Sequence, residues 1–467
     1  MPKQPISRDK RIAIVGAGPA GLSTALFLSK NGYHNVTVFE KLGRIGGLCD
    51  SITVDGMSFD LGANYVTWAY KETLKIAKEF GATTYQEKPY TSILVSPDGK
   101  VTYRDVVKAI LHNPFTNKDI SIWALIVAAI RYTRLRWKLG PVINPPDALE
   151  RIDEHPELCV PFKQWLETNR VDDLGTLFEI PITVMGYGQL ADIAAPYALR
   201  YLPLKTFLPM LLVRIPILGL LFPWPRRFTL GFQRLWERVS WQTNVRLNVS
   251  ITDIDRHAPN DQIKIKFQVP EQELNELKIV DREMDFDYLI LACPLMKDVF
   301  ARLGLKPNEN ENRILDTIQI SEYCMTTFWI ANMAMPAPIG VILPLIKPGL
   351  PWAVARQFQD QGNQFTQFYT QSDGAQTDES VIANVRDLIK RMGGKINETQ
   401  PRWHTFDRFT YFQHVTPEHF ANGFYRKLAE GQGQDKTFYV GGLTDFELVE
   451  PIVVHSKYLV EHYFAGL

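Results

Sequence analysis

The stretch Gly16-Ala17-Gly18-Pro19-Ala20-Gly21 constrains this chain more than any other. It follows Ile12 to Val15, an apolar run of strand length, and opens PAGLSTALFLSKNG, a helical pattern ending at Gly32. Asn35 to Glu40 (NVTVFE) then reads as a second strand rich in β-branched residues. A GxGxxG motif between strand and helix has a physical logic. Gly16 permits the tight turn, Gly18 lets a pyrophosphate approach the backbone, and Gly21 lets the helix pack close to the strand. Pro19 and Ala20 open the helix, whose free N–H groups and positive dipole end face the phosphates. Glu40, 19 residues beyond Gly21, is placed to accept hydrogen bonds from an adenosine ribose. No Lys-Ser/Thr follows Gly21, which excludes an ATP-type P-loop. The pattern predicts a Rossmann-like unit that binds FAD or NAD.

Further glycines bear on that choice. Lys41-Leu42-Gly43-Arg44-Ile45-Gly46-Gly47-Leu48 brings a second stretch of backbone toward the cofactor, with Arg44 placed to neutralise pyrophosphate or to brace Glu40. Leu61-Gly62-Ala63-Asn64 puts another glycine just after a short strand. This series of elements resembles the FAD-binding half of the flavin amine oxidase superfamily, which includes monoamine oxidases, protoporphyrinogen oxidase, carotenoid desaturases and polyenoic fatty acid isomerases. The resemblance implies that the strand ending at Val249 lays backbone on the adenine, and that Tyr288 to Pro294 returns to the dinucleotide. It also implies that Gly441 and Gly442 face the pyrophosphate and ribityl, and that a helix start at Ile452, Val453 and Val454 offers N–H groups to the flavin. The implied fold is α/β: a Rossmann-like (GR2-type) FAD-binding domain with an inserted α+β substrate domain built on an antiparallel sheet plus helices. Residues 1–90, 228–300 and 425–467 are assigned to the first, and 91–227 and 301–424 to the second. No cysteine lies near the C-terminal glycine pair, so FAD is expected to be non-covalent.

Within the superfamily three stretches resemble the polyenoic fatty acid isomerases: Met185-Gly186-Tyr187-Gly188 with Ala195 to Leu202, Tyr411-Phe412-Gln413-His414-Val415, and the C-terminal run from Gly423 to Lys457. Most of 90–180 and 300–400 matches poorly. Two departures stand out. The isomerases hold their substrate carboxylate with an arginine that is missing from Tyr90 to Val95, before the Asp98-Gly99 turn, and the basic residue before Cys49 is replaced by Leu48. The implied chemistry is hydride transfer between flavin N5 and an allylic carbon. The protein must hold one C–H within about 3–3.5 Å of N5 and exclude water. Tyr187, freed by a glycine on each side, is the expected ring beside the isoalloxazine, with Tyr411 near it. For His414 two readings stand, a proton shuttle or a satisfied interior histidine.

Composition narrows the partners. Fifty-one Lys+Arg balance 51 Asp+Glu, which argues against a nucleic-acid surface. Four scattered cysteines without a CxxC exclude a disulfide scaffold and a cysteine-built zinc site, and His414 with His419 lacks a third ligand, so no metal is expected. No signal peptide is visible, so a cytoplasmic location is expected. Ile122 to Ile130, followed by RYTRLRWK, and Phe207 to Trp224 are apolar but too interrupted to span a bilayer. They are either buried or lipid-tunnel segments, or a peripheral membrane surface flanked by Arg131, Arg134, Arg136, Lys138, Arg226 and Arg227. The expected partner is a small apolar unsaturated substrate, and the oligomeric state is open. Three functional readings follow: a flavoenzyme that moves or forms a double bond in a lipid-like substrate, a flavin oxidase of amines or terpenoid pigments, and a non-catalytic flavin-binding membrane protein.

Overall fold

The computed structural model describes residues 5–54, 56–86, 91–95, 102–212, 225–273, 276–333, 335, 339–343, 347–360, 363–399 and 404–466. Tyr90, the Asp98-Gly99 turn and 213–224 of the second apolar segment lie outside the described residues.

Five strands form one parallel sheet in the order Asn244–Arg246, Val36–Phe39, Ile12–Val15, Tyr288–Leu291, Thr437–Tyr439. Parallel sheets are covered on both faces, which is why IAIV and VTVF are apolar throughout and buried at every position. The register sets Ile12 opposite both Val36 and Tyr288. The Pro19–Lys30 helix packs with the Val449–Leu459 and Phe232–Ser240 helices on this half. Phe39 reaches the opposite side, where it meets Phe267 at 5.2 Å and Phe286 at 5.8 Å. Those two rings belong to a three-stranded antiparallel sheet, Ser250–Asp255, Ile263–Glu273 and Glu276–Phe286.

A second large sheet has eight strands. Its spine is Gln319–Ala331, 13 residues long, flanked by Asn363–Ser372 and His404–His414. Pro351–Asp360, Ile339–Leu343, Thr91–Val95 and Thr102–Asp105 extend it. The Asp378–Arg391 helix covers one face, setting Val385, Leu388 and Ile389 against Phe328, Ile330 and Phe368. The opposite face carries Tyr323 and Tyr369, as the two-residue alternation of a strand requires.

Between the two halves lies a helical layer with an aromatic core. Tyr132 meets Phe178 at 4.9 Å and Phe207 at 4.6 Å, and Phe178 stacks on Phe207. Gly175–Val184 runs through Pro181 and Leu204–Leu212 through Pro209. Two arginines expected on a lipid-facing surface are instead interior. Arg136 is buried and donates to Leu199 O at 3.0 Å and Asn144 Oδ1 at 3.3 Å. Arg227 is buried, with Nη2 2.8 Å from the Tyr65 hydroxyl and Nη1 on Gln357. No described helix is long and apolar enough to cross a membrane.

Candidate active site

The glycine motif folds as its spacing demands. Gly16 has φ +111°, and a Cβ there would lie 2.7 Å from Ala292 O. A Cβ on Gly21 would lie 1.9 Å from Gly16 O, so no other residue lets the Pro19–Lys30 helix sit this close to its strand. The second glycine pair docks on the first loop. Gly46 N donates to Ala17 O at 3.0 Å, and a Cβ on Gly47 (φ +55°) would reach Gly18 Cα at 3.0 Å. Gly62 closes against the same region, where a Cβ would lie 1.9 Å from Leu48 O, and Ala63 N donates to that carbonyl. Three separated sequence segments thus present bare main chain to one place.

Glu40 ends its strand with both oxygens engaged: Oε2 accepts from Ala17 N at 2.8 Å and Oε1 from Leu42 N at 2.9 Å. Val249 N donates to Glu40 O, which joins the Asn244–Arg246 strand region to the carboxylate's own residue. Lys41 is exposed. Arg44 does not brace Glu40. It pairs with Asp50 at 2.8 Å and donates to Gly47 O at 3.0 Å, holding the second glycine loop. Gly441 has φ +153° and open space where a Cβ would stand, while Gly442 is pressed by the Glu447 carboxylate, 2.1 Å from its ideal Cβ position. The helix after this pair begins three residues earlier than expected, at Val449. Ile452 N already donates to Leu448 O, so Val453 and Val454 lie inside the helix rather than at its start. Its free N–H groups belong to Val449 and Glu450. The Glu450 carboxylate caps another helix, accepting from Glu72 N, Thr73 N and the Thr73 hydroxyl.

Joined to Gly442 through Glu447 lies a packed group of phenol rings, here called the tyrosine chamber. Tyr187 donates from its hydroxyl to Glu447 O at 2.9 Å and meets the rings of Phe446, Tyr201 and Tyr411 at 4.8, 4.9 and 5.5 Å. Gly186 (φ +84°) makes this possible, because a Cβ there would strike the Tyr323 ring at 2.6 Å. Tyr323 in turn lies 5.7 Å from Tyr411 and 6.2 Å from Tyr369. The Tyr369 hydroxyl is 3.5 Å from Asn64 Nδ2, which ties the chamber to the Gly62 loop. Burial pushes the hydroxyls of Tyr187, Tyr323 and Tyr411 well above the usual phenol range, so they stay neutral donors. Burial also lifts the Glu447 carboxyl to about 7, partly offset by a hydrogen bond from the Gln413 backbone.

The structure joins Tyr187 and Tyr411 and leaves His414 apart. Phe412 has φ +45° and stacks on the His414 ring at 4.6 Å, while meeting Tyr187 at 5.1 Å on edge. His414 Nδ1 lies 2.8 Å from Phe412 O, and burial lowers its pKa. Its ring is half-buried behind the Phe412 ring, apart from the tyrosine pair. Sequence reasoning missed Glu447, Tyr323 and Tyr369. Glu447 carried a signal, a carboxylate between Phe446 and Leu448 just after a glycine pair. Tyr323 and Tyr369 carried none, since they read as ordinary strand residues.

Known proteins share this architecture. The chain aligns over 98% of its length with all of a CLA-producing fatty acid isomerase structure from P. acnes, at TM-score 0.79 and 24% identity, a likeness that establishes the fold. A putrescine oxidase structure bound to putrescine aligns over 97% of this chain and 98% of its own, at TM-score 0.60 and 15% identity. Among curated relatives, protoporphyrinogen oxidase 2 of Arabidopsis thaliana is 42% identical over 80 residues, 17% of this chain and 16% of that protein. Polyenoic fatty acid isomerase of Ptilota filicina is 40% identical over 70 residues, 14% of each. The aligned stretches therefore span less than a fifth of either relative. The family model for flavin-containing amine oxidoreductases, by contrast, matches residues 19–445. With a match of that extent on this fold, the chain belongs to the flavin-containing amine oxidoreductase family.

Proposed function

We propose that this protein is an FAD-dependent enzyme that transfers hydride at an allylic carbon of an unsaturated, lipid-like substrate, and so shifts or forms a carbon–carbon double bond. The observation that carries the reading is the group of packed phenol rings joined through Glu447 to Gly442. The cradle beside it fits a dinucleotide. Gly18 and Gly47 meet main chain to main chain, Gly441 faces open space, and the start of the Pro19–Lys30 helix leaves N–H groups free. Gly16, Gly18, Pro19, Ala20, Gly21, Gly46 and Gly47 would hold the phosphates, Glu40 the ribose, and Gly441 with the Val449 helix start the flavin end. A bound flavin supplies hydride acceptance and return, so a hydride taken from one allylic carbon and restored to another moves the double bond without net oxidation.

The chain's own residues bind, orient and keep water out. Tyr187, Tyr201, Tyr323 and Tyr411 offer flat apolar faces to an extended hydrocarbon, and the Tyr187 and Tyr323 hydroxyls spend their donors on the Glu447 and Val184 carbonyls. Glu447, lifted to about 7 by burial, is less fully ionised near neutral pH than an exposed carboxylate, so it presents less charge to an apolar chain. Tyr90 to Val95 offers no arginine for a carboxylate, which favours an esterified or otherwise uncharged lipid over a free acid.

One observation favours a second reading, oxidation of an amine. Once ionised, Glu447 among aromatic faces would attract a cation. Product analysis by mass spectrometry separates the two. The purified protein is incubated with linoleic and linolenic acids, their esters and a diamine, under air and under argon. Unchanged mass with new diene absorbance in both gases is the expected result. Loss of two hydrogens only in air assigns a desaturating oxidase, and oxygen uptake with the diamine alone overturns the lipid reading. Acid denaturation tests the cofactor. A yellow supernatant with FAD's mass is expected, and colour retained on the protein pellet would contradict non-covalent binding.

A further inference from the structure

The Ile122–Lys138 helix has a divided outer face. Ser121 caps its start, the Ser121 hydroxyl accepting from Ala124 N at 3.1 Å. Leu125, Ala128, Ala129 and Tyr132 form the buried stripe that packs on the helical layer. The opposite stripe breaks the usual pattern of a water-facing helix. Over its first two turns Ile122, Trp123, Ile126, Val127 and Ile130 are all exposed, Trp123 by 73%. Over its last two turns Arg131, Arg134 and Lys138 are exposed, with Trp137 at 80%. Six of the 15 large hydrophobic side chains exposed among the described residues fall on this one helix, and the other nine are spread between Leu42 and Leu350. Scattered exposed hydrophobics need no explanation, whereas a contiguous patch does.

The charge carried by the helix itself has one sign. The helix holds no Asp or Glu, and none of its three outer cations is ion-paired among the described residues. Arg131 donates to Arg170 O at 2.8 Å and keeps its charge. Asp119, just before the helix, faces His112 at 3.0 Å. A surface that is apolar at one end, cationic at the other and tryptophan-bearing at both matches the layered chemistry of a bilayer surface: acyl boundary, then anionic phosphate. At about 25 Å, with four basic residues, the helix is suited not to crossing the bilayer but to a tilted seat that sinks its first turns and leaves its last two at phosphate depth. A second copy of this chain is a poorer partner. Paired in one orientation the cations would face each other, and in the other they would be pressed against apolar side chains.

We propose that this helix docks the protein on an anionic lipid bilayer, with Trp123, Ile126 and Val127 in the acyl boundary and Arg131, Arg134 and Lys138 on the phosphates. The inference stands whatever the substrate is. Flotation of the flavin-loaded protein with vesicles of phosphatidylcholine, alone or mixed with phosphatidylglycerol, tests it. The parent is expected to float with the anionic vesicles at low salt and to be released at high salt. Trp123→Ser with Val127→Ser should abolish flotation, and Arg134→Gln with Lys138→Gln should weaken it at least about tenfold on anionic vesicles only. All four positions are solvent-exposed, so melting temperatures and circular dichroism equal to the parent's are expected. A parent that stays at the bottom of the gradient at low salt overturns the proposal, as do variants that float like it. A parent that is dimeric by light scattering and made monomeric by Trp123→Ser with Val127→Ser, without flotation, also overturns it by assigning the patch to self-association.

Discussion

The glycine cradle and the tyrosine chamber share the Gly441–Gly442 corner, yet they are specified in opposite ways. The cradle is main chain. At Gly21 and Gly62 a Cβ would lie 1.9 Å from a carbonyl oxygen, so each position admits one residue. The chamber is side chain. Tyr187, Tyr201, Tyr323, Tyr369 and Tyr411 come from a helical layer and three strands, and they meet through rings 4.9 to 6.2 Å apart. Contacts of that kind have many solutions, because another apolar ring or a smaller residue with local repacking can fill the space. A family can therefore keep its cofactor while its substrates diverge.

Substitutions can break or sharpen that contrast. The largest effect is expected at Gly21→Ala, where the added methyl must displace either the turn or the helix. A loss of roughly 3 kcal/mol or more is expected, with little flavin absorbance per protein and a sharply lowered melting temperature. Full flavin loading in this variant would end the claim that the cradle admits one residue. Next comes Arg200→Met at the shared corner. Arg200 donates to Asp445 at 2.5 Å and to Ile143 O at 2.6 Å, and both side chains are buried. Removing the cation strands the Asp445 carboxylate at a cost of roughly 3–5 kcal/mol, and Arg200→Met with Asp445→Asn should recover much of it in denaturant melts.

Glu447→Gln gives an intermediate effect with a pH signature. The carboxyl's ordinary value is 4.5, and burial raises it to about 7 in the folded protein. The native state then binds more protons than the unfolded state between those values. The stability this group contributes is full below pH 4.5 and is lost as pH rises through about 7. The parent should lose roughly 2 kcal/mol across that window, and the glutamine variant less. Asp60, raised to about 6 by burial, acts with the same sign and leaves a residual slope in both proteins. Identical slopes would mean that Glu447 is solvated in the folded protein.

Tyr187→Phe removes one hydroxyl that donates to a carbonyl, at a cost of about 1 kcal/mol in stability. Flavin content should be unchanged while turnover falls, which is the separation between cradle and chamber in its simplest form. Smallest of all is Arg44→Gln. Its pair with Asp50 is partly exposed, so less than about 1 kcal/mol is expected, with a modest weakening of FAD affinity measured by titration into stripped protein.

The same contrast governs what the sequence made legible. Gly16 through Gly21, Glu40 and Gly46-Gly47 sit at fixed spacings within one supersecondary unit, so local rules located them. The C-terminal helix begins three residues ahead of the start that the resemblance implied, with Pro451 in its first turn. A proline in the first turn removes an N–H that has no helical partner anyway, and the helix begins ahead of it. His414 looked reactive because no local pattern announces that Phe412 adopts φ +45° and stacks its ring on the imidazole. The chamber depends on register between distant strands, such as Ser321 opposite Tyr411 and Met325 opposite Tyr369. Register of that range is fixed by tertiary packing and leaves no local trace.

The parallel sheet also sets an order of assembly. Its inner strands come from residues 12–39 and 288–291, but the Thr437–Tyr439 strand and the helix behind it are made last. During synthesis the flank of Tyr288–Leu291 lacks its Thr437–Tyr439 partner while the strands from Gln319–Ala331 to His404–His414 emerge, an open edge of the kind that invites wrong partners. A flavin held between Gly16 and Gly441 would meet its complete cradle only once that last strand is in place.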